Sequence, residues 1–479
     1  MKNIKKLGAI LLSTLFLMSS CSSNSNHGLS ADQPVTLRLW HYYSGSQKEA
    51  FDDLVEEFNT TVGKEKGIIV DAIGKGSISN IANDVNKLLK NKEETEKLPN
   101  MFAAYQDTAQ MAMNEHKLVS METYLSEKEI HTYVDGFLKD GRYVGSDETM
   151  LFPIAKASEV MIINKEEWDR FASATHVSKA DLSTWEGLAK TAELYYEYSN
   201  GKAFFARDAL ANYLICGAHQ LQDDIFQEKD WKVAFAISDK TLRRLWDNYY
   251  IPFIKGYYVK NGRFASDDIK TKDVIATVSS TAGGTFYPNE VIDEHGDKQK
   301  VSYLVLPTPH FENAQNAVIS QGGGIAITKA DETSEYACIV FLQWFTETKR
   351  NITFSAASSY LPVKKEANTY QTWETTLKKH NMNPNNLLKD IVKTTMDEVN
   401  DQKLYAANSF DGSYEARSYL EKAANMKAIE DQKAIQKAIQ AGKSQEEAMA
   451  YYLSDENFAK WVQQCRKDME ALLQGDKAQ

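Results

Sequence analysis

Cysteine is scarce in this chain, with four in 479 residues, at positions 21, 216, 338 and 465. The three beyond Cys21 are odd in number and widely spaced, so they support neither a disulfide framework nor a CxxC-type metal centre. HExxH, GxSxG and phosphate-loop motifs are absent, which removes the enzyme classes those motifs serve. Among 66 acidic residues no pair of carboxylates stands out as a glycosidase couple, so a secreted glycosidase is the weaker alternative. The chain is expected to be no enzyme and to hold no metal or cofactor. Positive charge is also short: 55 Lys and Arg against 66 Asp and Glu give a net charge of −11, with no clustered basic stripe. Nucleic acid is therefore excluded as a partner, because phosphate neutralisation supplies most of that affinity. The apolar run LGAILLSTLFLM at 7–18 has 12 residues, too few for a bilayer span of about 20.

What stands around that run gives it meaning. Lys2, Lys5 and Lys6 precede it and small residues follow it, the layout of a secretory signal over 1–20. Cys21, behind Leu17, Met18, Ser19 and Ser20, resembles the acceptor cysteine of a lipobox. That resemblance implies export and a lipid anchor on the outer face of the cell membrane. Residues 21–33 are polar and suit a flexible tether.

From residue 35 strands and helices alternate. VTLRLWH has strand alternation, and Phe51, Leu54, Val55 and Phe58 fall at helical spacing, with Ser46 and Glu49 spaced as a capping box. GIIVDAIG, NMFAAYQD, the run Val160 to Ile163, KDVIATVSS, VSYLVLP and AVISQGGGIAIT read as strands. ISNIANDVNKLLK at 78–90, a stretch from Thr108, STWEGLAKTAELYYEYS, EYACIVFLQWFTE and nearly everything beyond Asn383 read as helix. This order predicts α/β layers on a largely parallel sheet. In such folds ligands sit beyond the carboxyl ends of strands, where Trp40–Gly45, Tyr105–Asp107, Ser279–Gly284 and Gly322–Gly324 stand.

LRLWHYYSGSQKEAFDDLVEEFN, FPIAKASEVMIINKEEW, TWEGLAK, QGGGIAITK and FLQWFTETKRNITFSAASSYLPVKKEA together resemble the extracellular solute-binding proteins of ABC transporters. The likeness is to the carbohydrate group that includes maltose- and glycerol-3-phosphate-binding proteins, and it covers about residues 34 to 470. It implies a two-lobed, type II periplasmic-binding-protein-like fold with a helix-rich second lobe and C-terminus. Lobe 1 is expected at 34–153 plus 310–349, lobe 2 at 158–304 plus 350–475, and hinges near 153–158 and 305–309. The implied function is capture of a sugar or oligosaccharide by a monomer that delivers it to a transporter permease. A surface sugar sensor or adhesin, and a binder of an anionic sugar or polyol phosphate, are the alternatives.

By the same resemblance, His41, Tyr42, Tyr43, Ser44, Ser77, Tyr105, Gln106 and Asp107 contact ligand from lobe 1, and Lys156 and Glu159 line the hinge. Arg207, Asp208, Asn212, Ser280, Thr281, Gly322, Gly323, Tyr360, Phe410, Asp411 and Tyr414 complete the set. Acidic, amide and hydroxyl groups meet sugar hydroxyls, and aromatic rings pack on pyranose faces. The chain departs from its relatives at Ser409-Phe410-Asp411, where phosphoglycerol binders carry an arginine. It departs again at Ala282-Gly283, where some maltodextrin binders carry tryptophans. Lys75, Lys156, Arg207 and His41 are the cations available for an anionic ligand.

Overall fold

The computed structural model describes residues 26–90, 97–143, 146–229, 232–292, 298–401, 403–407 and 409–474. The expected signal at 1–20, Cys21 and the first part of the tether lie outside the described residues. Residues 26–33 are docked: Leu29 is buried, the Asn26 amide donates to the Leu29 carbonyl, and Thr333 Oγ1 donates to the His27 carbonyl. A buried leucine holds this stretch against the first lobe, so the tether expected to run to residue 33 ends earlier.

The first sheet runs in the order Ile68–Gly74, Val35–His41, Met101–Ala104, Gly324–Thr328 and Leu118–Val119, with Leu151–Phe152 also paired to Gly324–Thr328. Its first three strands are parallel. Gly324–Thr328 enters from a distant part of the chain and pairs antiparallel with all three of its neighbours. The second sheet has the order Tyr303–Pro307, Glu159–Asn164, Ala276–Ser280, Phe205–Arg207, and only the last pair is parallel. The largely parallel sheet read from element order is therefore corrected to two mixed sheets. Alternation of strands and helices reports local order, not the direction in which a returning strand is inserted.

Packing follows the apolar spacing. Helix Gly45–Thr60 buries Phe51, Leu54, Val55 and Phe58, with Phe58 edge-on to Phe341 and Trp344 of helix Glu332–Phe345. Each such ring contributes about 1.5–3 kcal/mol by leaving water. The Ser46–Glu49 capping box does not form. The helix starts behind Ser44, and Ser46 Oγ instead donates to the Ala357 carbonyl at 3.1 Å. Helix Ile78–Lys90 spans the predicted residues. Helix Gln106–Asn114 begins two residues earlier than read. Cys216, Cys338 and Cys465 are buried and unpaired.

Each sheet has its own core. Segment 352–399 contributes Ile352, Phe354, Tyr360, Trp373 and Met396 to the core of the first, whereas the reading above places 350–475 in the second lobe. Among the described residues the chain passes between the lobes at 156–158, at 319–322, and between Val399 of the first core and Tyr405 beside the second. Lys156 and Leu361 exchange backbone bonds, as do Ala157 and Gln321, and Ser158 Oγ donates to the Ile319 carbonyl at 2.7 Å. Strand Ala317–Ile319 pairs in parallel with Lys403–Tyr405. Segment 305–309 lies in and just after the second sheet's strand Tyr303–Pro307, so that crossing falls beyond it. No helix among the described residues is long and apolar enough to cross a membrane.

Candidate functional site

Between the lobes lies a cavity of about 1070 Å³, walled by both. From the first lobe it receives Tyr42, Ser44, Tyr105, Gln106 and Asp107, all directly after strands of the first sheet. Lys156 and Gly322 line it at the crossings, and Tyr360 beside Tyr42. Asp208, Asn212, Ser280 and Phe410 reach it from the second lobe. The expected placement beyond strand ends thus brings these residues together.

Several of them are organised by their neighbours. The hydroxyls of Tyr42 and Tyr360 are 3.2 Å apart, and burial pushes both phenols upward, so both remain neutral donors. Gln106 Nε2 donates to the Asp140 carbonyl at 2.6 Å. The Asp140 carboxylate holds Lys156 at 2.7 Å and accepts from Ser320 Oγ, while Lys156 Nζ also donates to the Gly322 carbonyl at 2.6 Å. Lys156 is 2% exposed. Its charge is spent inside the protein. Asp107 is pushed up by burial, against bonds from the Thr108 amide and hydroxyl that pull it down.

Asp208 sits on a turn that Arg207 secures. Ala209 adopts φ 45°, ψ 63°, a left-handed conformation that is costly for a residue with a Cβ. Arg207 donates to the carbonyls of Asp208 at 2.9 Å and Ala209 at 3.1 Å, and to both oxygens of Glu159. Its guanidinium lies over Trp185 and Tyr213. Asp208 accepts from the Ala265 amide at 2.9 Å, and burial raises its carboxyl to about 6.

Other expected residues stand elsewhere. Arg207 and Glu159 are an ion pair beneath the wall, 3% exposed each. His41 is 0% exposed between Tyr43 and Phe51. Burial lowers its basicity, so a neutral ring is favoured. Tyr43 belongs to the same core. Thr281 is buried, and its amide donates to the Ser158 carbonyl. Ser77 bonds the Asn80 amide in the turn that opens helix Ile78–Lys90. Gly323 serves the sheet: a Cβ there would come within 2.7 Å of the Ala104 carbonyl oxygen. Tyr414 is exposed and off the cavity. Asp411 accepts from Asn114 Nδ2 at 2.7 Å, a bond between the lobes at the rim. Gln47 Nε2 makes a second such bond, to the Ala282 carbonyl at 3.2 Å. Trp185 and Trp344 are core residues of the second and first lobes.

The cavity also contains residues that the sequence did not single out. Phe264 and Phe286 are each 52% exposed on the second-lobe wall, facing the lobe that carries Tyr105, itself 44% exposed. Lys260, Arg263, Lys270 and Arg417 line the same wall. A Phe behind a positive charge in GRFAS and a Phe closing TAGGTF are the signals available beforehand, and neither is specific. The arrangement offers apolar ring faces beside hydrogen-bonding groups of both kinds, suited to a polar molecule with flat apolar faces.

Solved structures with the same fold include the cyclic α-maltosyl-1,6-maltose binding protein of Arthrobacter globiformis (12% identity, 92% of this chain and 100% of that one, TM-score 0.66). UgpB of Mycobacterium tuberculosis with glycerophosphocholine is similar (15%, 92% and 99%, 0.66). So is an ABC substrate-binding protein of Listeria monocytogenes with cycloalternan (15%, 93% and 100%, 0.62). No curated protein matches the chain in sequence. The family model for bacterial extracellular solute-binding proteins matches residues 53–383. With over half its length matched and the two-lobed fold formed around an interlobe cavity, the chain belongs to the bacterial extracellular solute-binding protein family, and is therefore exported.

Proposed function

We propose that this protein captures a sugar or oligosaccharide between its lobes and delivers it to the permease of an ABC transporter. The observation that carries this reading is the wall chemistry: Tyr105, Phe264 and Phe286 expose ring faces beside Asp107, Asp208, Asn212 and Ser280. Exposed phenylalanine is unfavourable in water unless a ligand covers it, and a pyranose ring presents such a cover with hydroxyls at its edge. A volume near 1070 Å³ reaches the top of the usual range of about 300–1,000 Å³ for small-molecule sites, which favours more than one sugar unit. The structural relatives, one named for binding cyclic α-maltosyl-1,6-maltose and one solved with cycloalternan, support the same class.

The lobes act as rigid halves that close on the ligand, with the three crossings as hinges and the Asn114–Asp411 and Gln47–Ala282 bonds at the rim. A ligand drives closure only through better binding to the closed state. Anchoring through Cys21 keeps a monomeric receptor at the outer face of the membrane, beside its permease. The test is thermal unfolding of residues 26–479 with a panel of mono-, di- and oligosaccharides. A ligand at about 100 times its Kd adds about 2.7 kcal/mol, a clear upward displacement. Folded protein that responds to no sugar refutes the carbohydrate reading.

A further inference from the structure

We propose that the sugar carries an acidic group, a carboxylate or phosphate, and that Arg417 receives it with Lys260 on the same wall. This inference deepens the carbohydrate reading above and rests on it. It starts from how the other cations around the cavity are used. Lys156 is paired with Asp140 at 2.7 Å, Arg207 with Glu159 at 3.1 Å, and Lys270 with Asp267 at 3.2 Å, while Arg263 lies over the exposed ring of its neighbour Phe264 at 5.2 Å. The three paired charges are neutralised within the protein.

Arg417 is different. It is half-buried on the cavity wall and, among the described residues, makes one side-chain hydrogen bond, from Nη2 to Asn212 Oδ1. Among the described residues no carboxylate stands within ion-pair distance of it. Asn212 is itself fixed: it is 0% exposed, and its Nδ2 donates to Glu159 Oε1 at 2.8 Å. The guanidinium is thus held in place by a rigid neighbour and keeps most of its five donors free. Lys260 has, among the described residues, one weak hydrogen bond of 3.5 Å to the Arg207 carbonyl, and its charge pulls down the carboxyls of Asp208 and Asp268 without an ion pair to either. Both cations thus bond residues of the 207–212 segment on the second-lobe wall. Tyr105 and Asp107 line the same cavity from the opposite lobe.

The choice of an acidic over a neutral sugar follows from closure. When lobes shut over a half-buried guanidinium, its remaining hydration is lost. A neutral hydroxyl satisfies a donor and leaves the charge uncompensated, whereas a carboxylate or phosphate oxygen pair satisfies two donors and the charge together. Asp107 and Asp208 are left to accept from sugar hydroxyls.

The experiment is calorimetric titration of residues 26–479 with uronate-bearing oligosaccharides, sugar phosphates and their neutral counterparts, for the parent and for Arg417→Gln. Thermal unfolding confirms that the variant is folded, and Lys260→Gln serves as a second variant that leaves the Asn212 contact intact. The expected result is an acidic ligand bound at least about tenfold tighter than its neutral counterpart. That ratio should collapse toward one in Arg417→Gln, from the loss of charge-assisted bonds that carry about 10- to 100-fold, and should narrow in Lys260→Gln. Which arm binds distinguishes carboxylate from phosphate. Equal or tighter binding of neutral sugars overturns the inference while leaving the carbohydrate reading standing, as does an acidic preference that survives both substitutions. If no sugar of any class binds, the carbohydrate reading itself falls and takes the inference with it.

Discussion

Asp208→Asn separates binding from stability at one atom. In the folded protein, burial raises this carboxyl to about 6, from an ordinary value of 3.8. Between those values the folded state holds a proton that the unfolded chain has released, so stability falls as pH rises through the window and stays lower above it. A displacement of about two pH units corresponds to about 3 kcal/mol at full weight. The side chain is only partly buried, and screening by solvent reduces this to about 1–2 kcal/mol. Asparagine keeps an oxygen to accept from the Ala265 amide and carries no charge to desolvate. The variant should therefore be more stable than the parent by about 1–2 kcal/mol at pH 7, with the difference vanishing near pH 4. For folding units of about 150–250 residues, each kcal/mol moves Tm by about 2–4 °C. Sugar affinity should fall at the same time by about tenfold or more, because a charged acceptor is lost. Thermal unfolding at pH 4 and pH 7, paired with calorimetric titration, reads both. A variant less stable than the parent at pH 7, or a difference independent of pH, refutes the argument.

The other predictions concern different parts of the structure. Arg207→Met should destabilise the protein by about 3–5 kcal/mol in urea unfolding, since Glu159 would be left buried and unpaired; a change under about 1 kcal/mol would show that the pair is dispensable. Tyr105→Ala, Phe264→Ala and Phe286→Ala should each leave Tm within about 2 °C, because the rings are exposed, yet weaken sugar binding by about fivefold or more. Unchanged affinity in all three would remove the ring faces from the site. Cys21→Ala should move the protein from the membrane fraction to the medium, and an unaltered membrane fraction would contradict lipid anchoring.

Much of the fold was legible because its signals are local. Helix Ile78–Lys90 and the strand–helix hand-over at His41–Gly45 follow from apolar spacing alone. The direction of Gly324–Thr328 was not legible, since its partners lie hundreds of residues away. The same distance explains the site. Lys156 and Arg207 read as free cations until Asp140 and Glu159 are seen beside them. His41 reads as a polar loop residue until Tyr43 and Phe51 enclose it. Arg417 and Phe264 gave no specific sequence signal, because their neighbours in the chain do not set them apart from surface residues. Ser46 and Glu49 had the right spacing for a cap, and a tertiary bond to Ala357 competed successfully for the serine.

The most direct test of an interlobe carbohydrate site is hydrogen–deuterium exchange of residues 26–479 with and without the sugar that raises Tm most. Simultaneous protection is predicted at 42–47 and 105–108 in the first lobe, at 208–212 and 280–287 in the second, and at the crossings 156–158 and 319–322. Protection confined to one lobe, or a sugar that stabilises the protein while leaving these segments unchanged, would contradict the account.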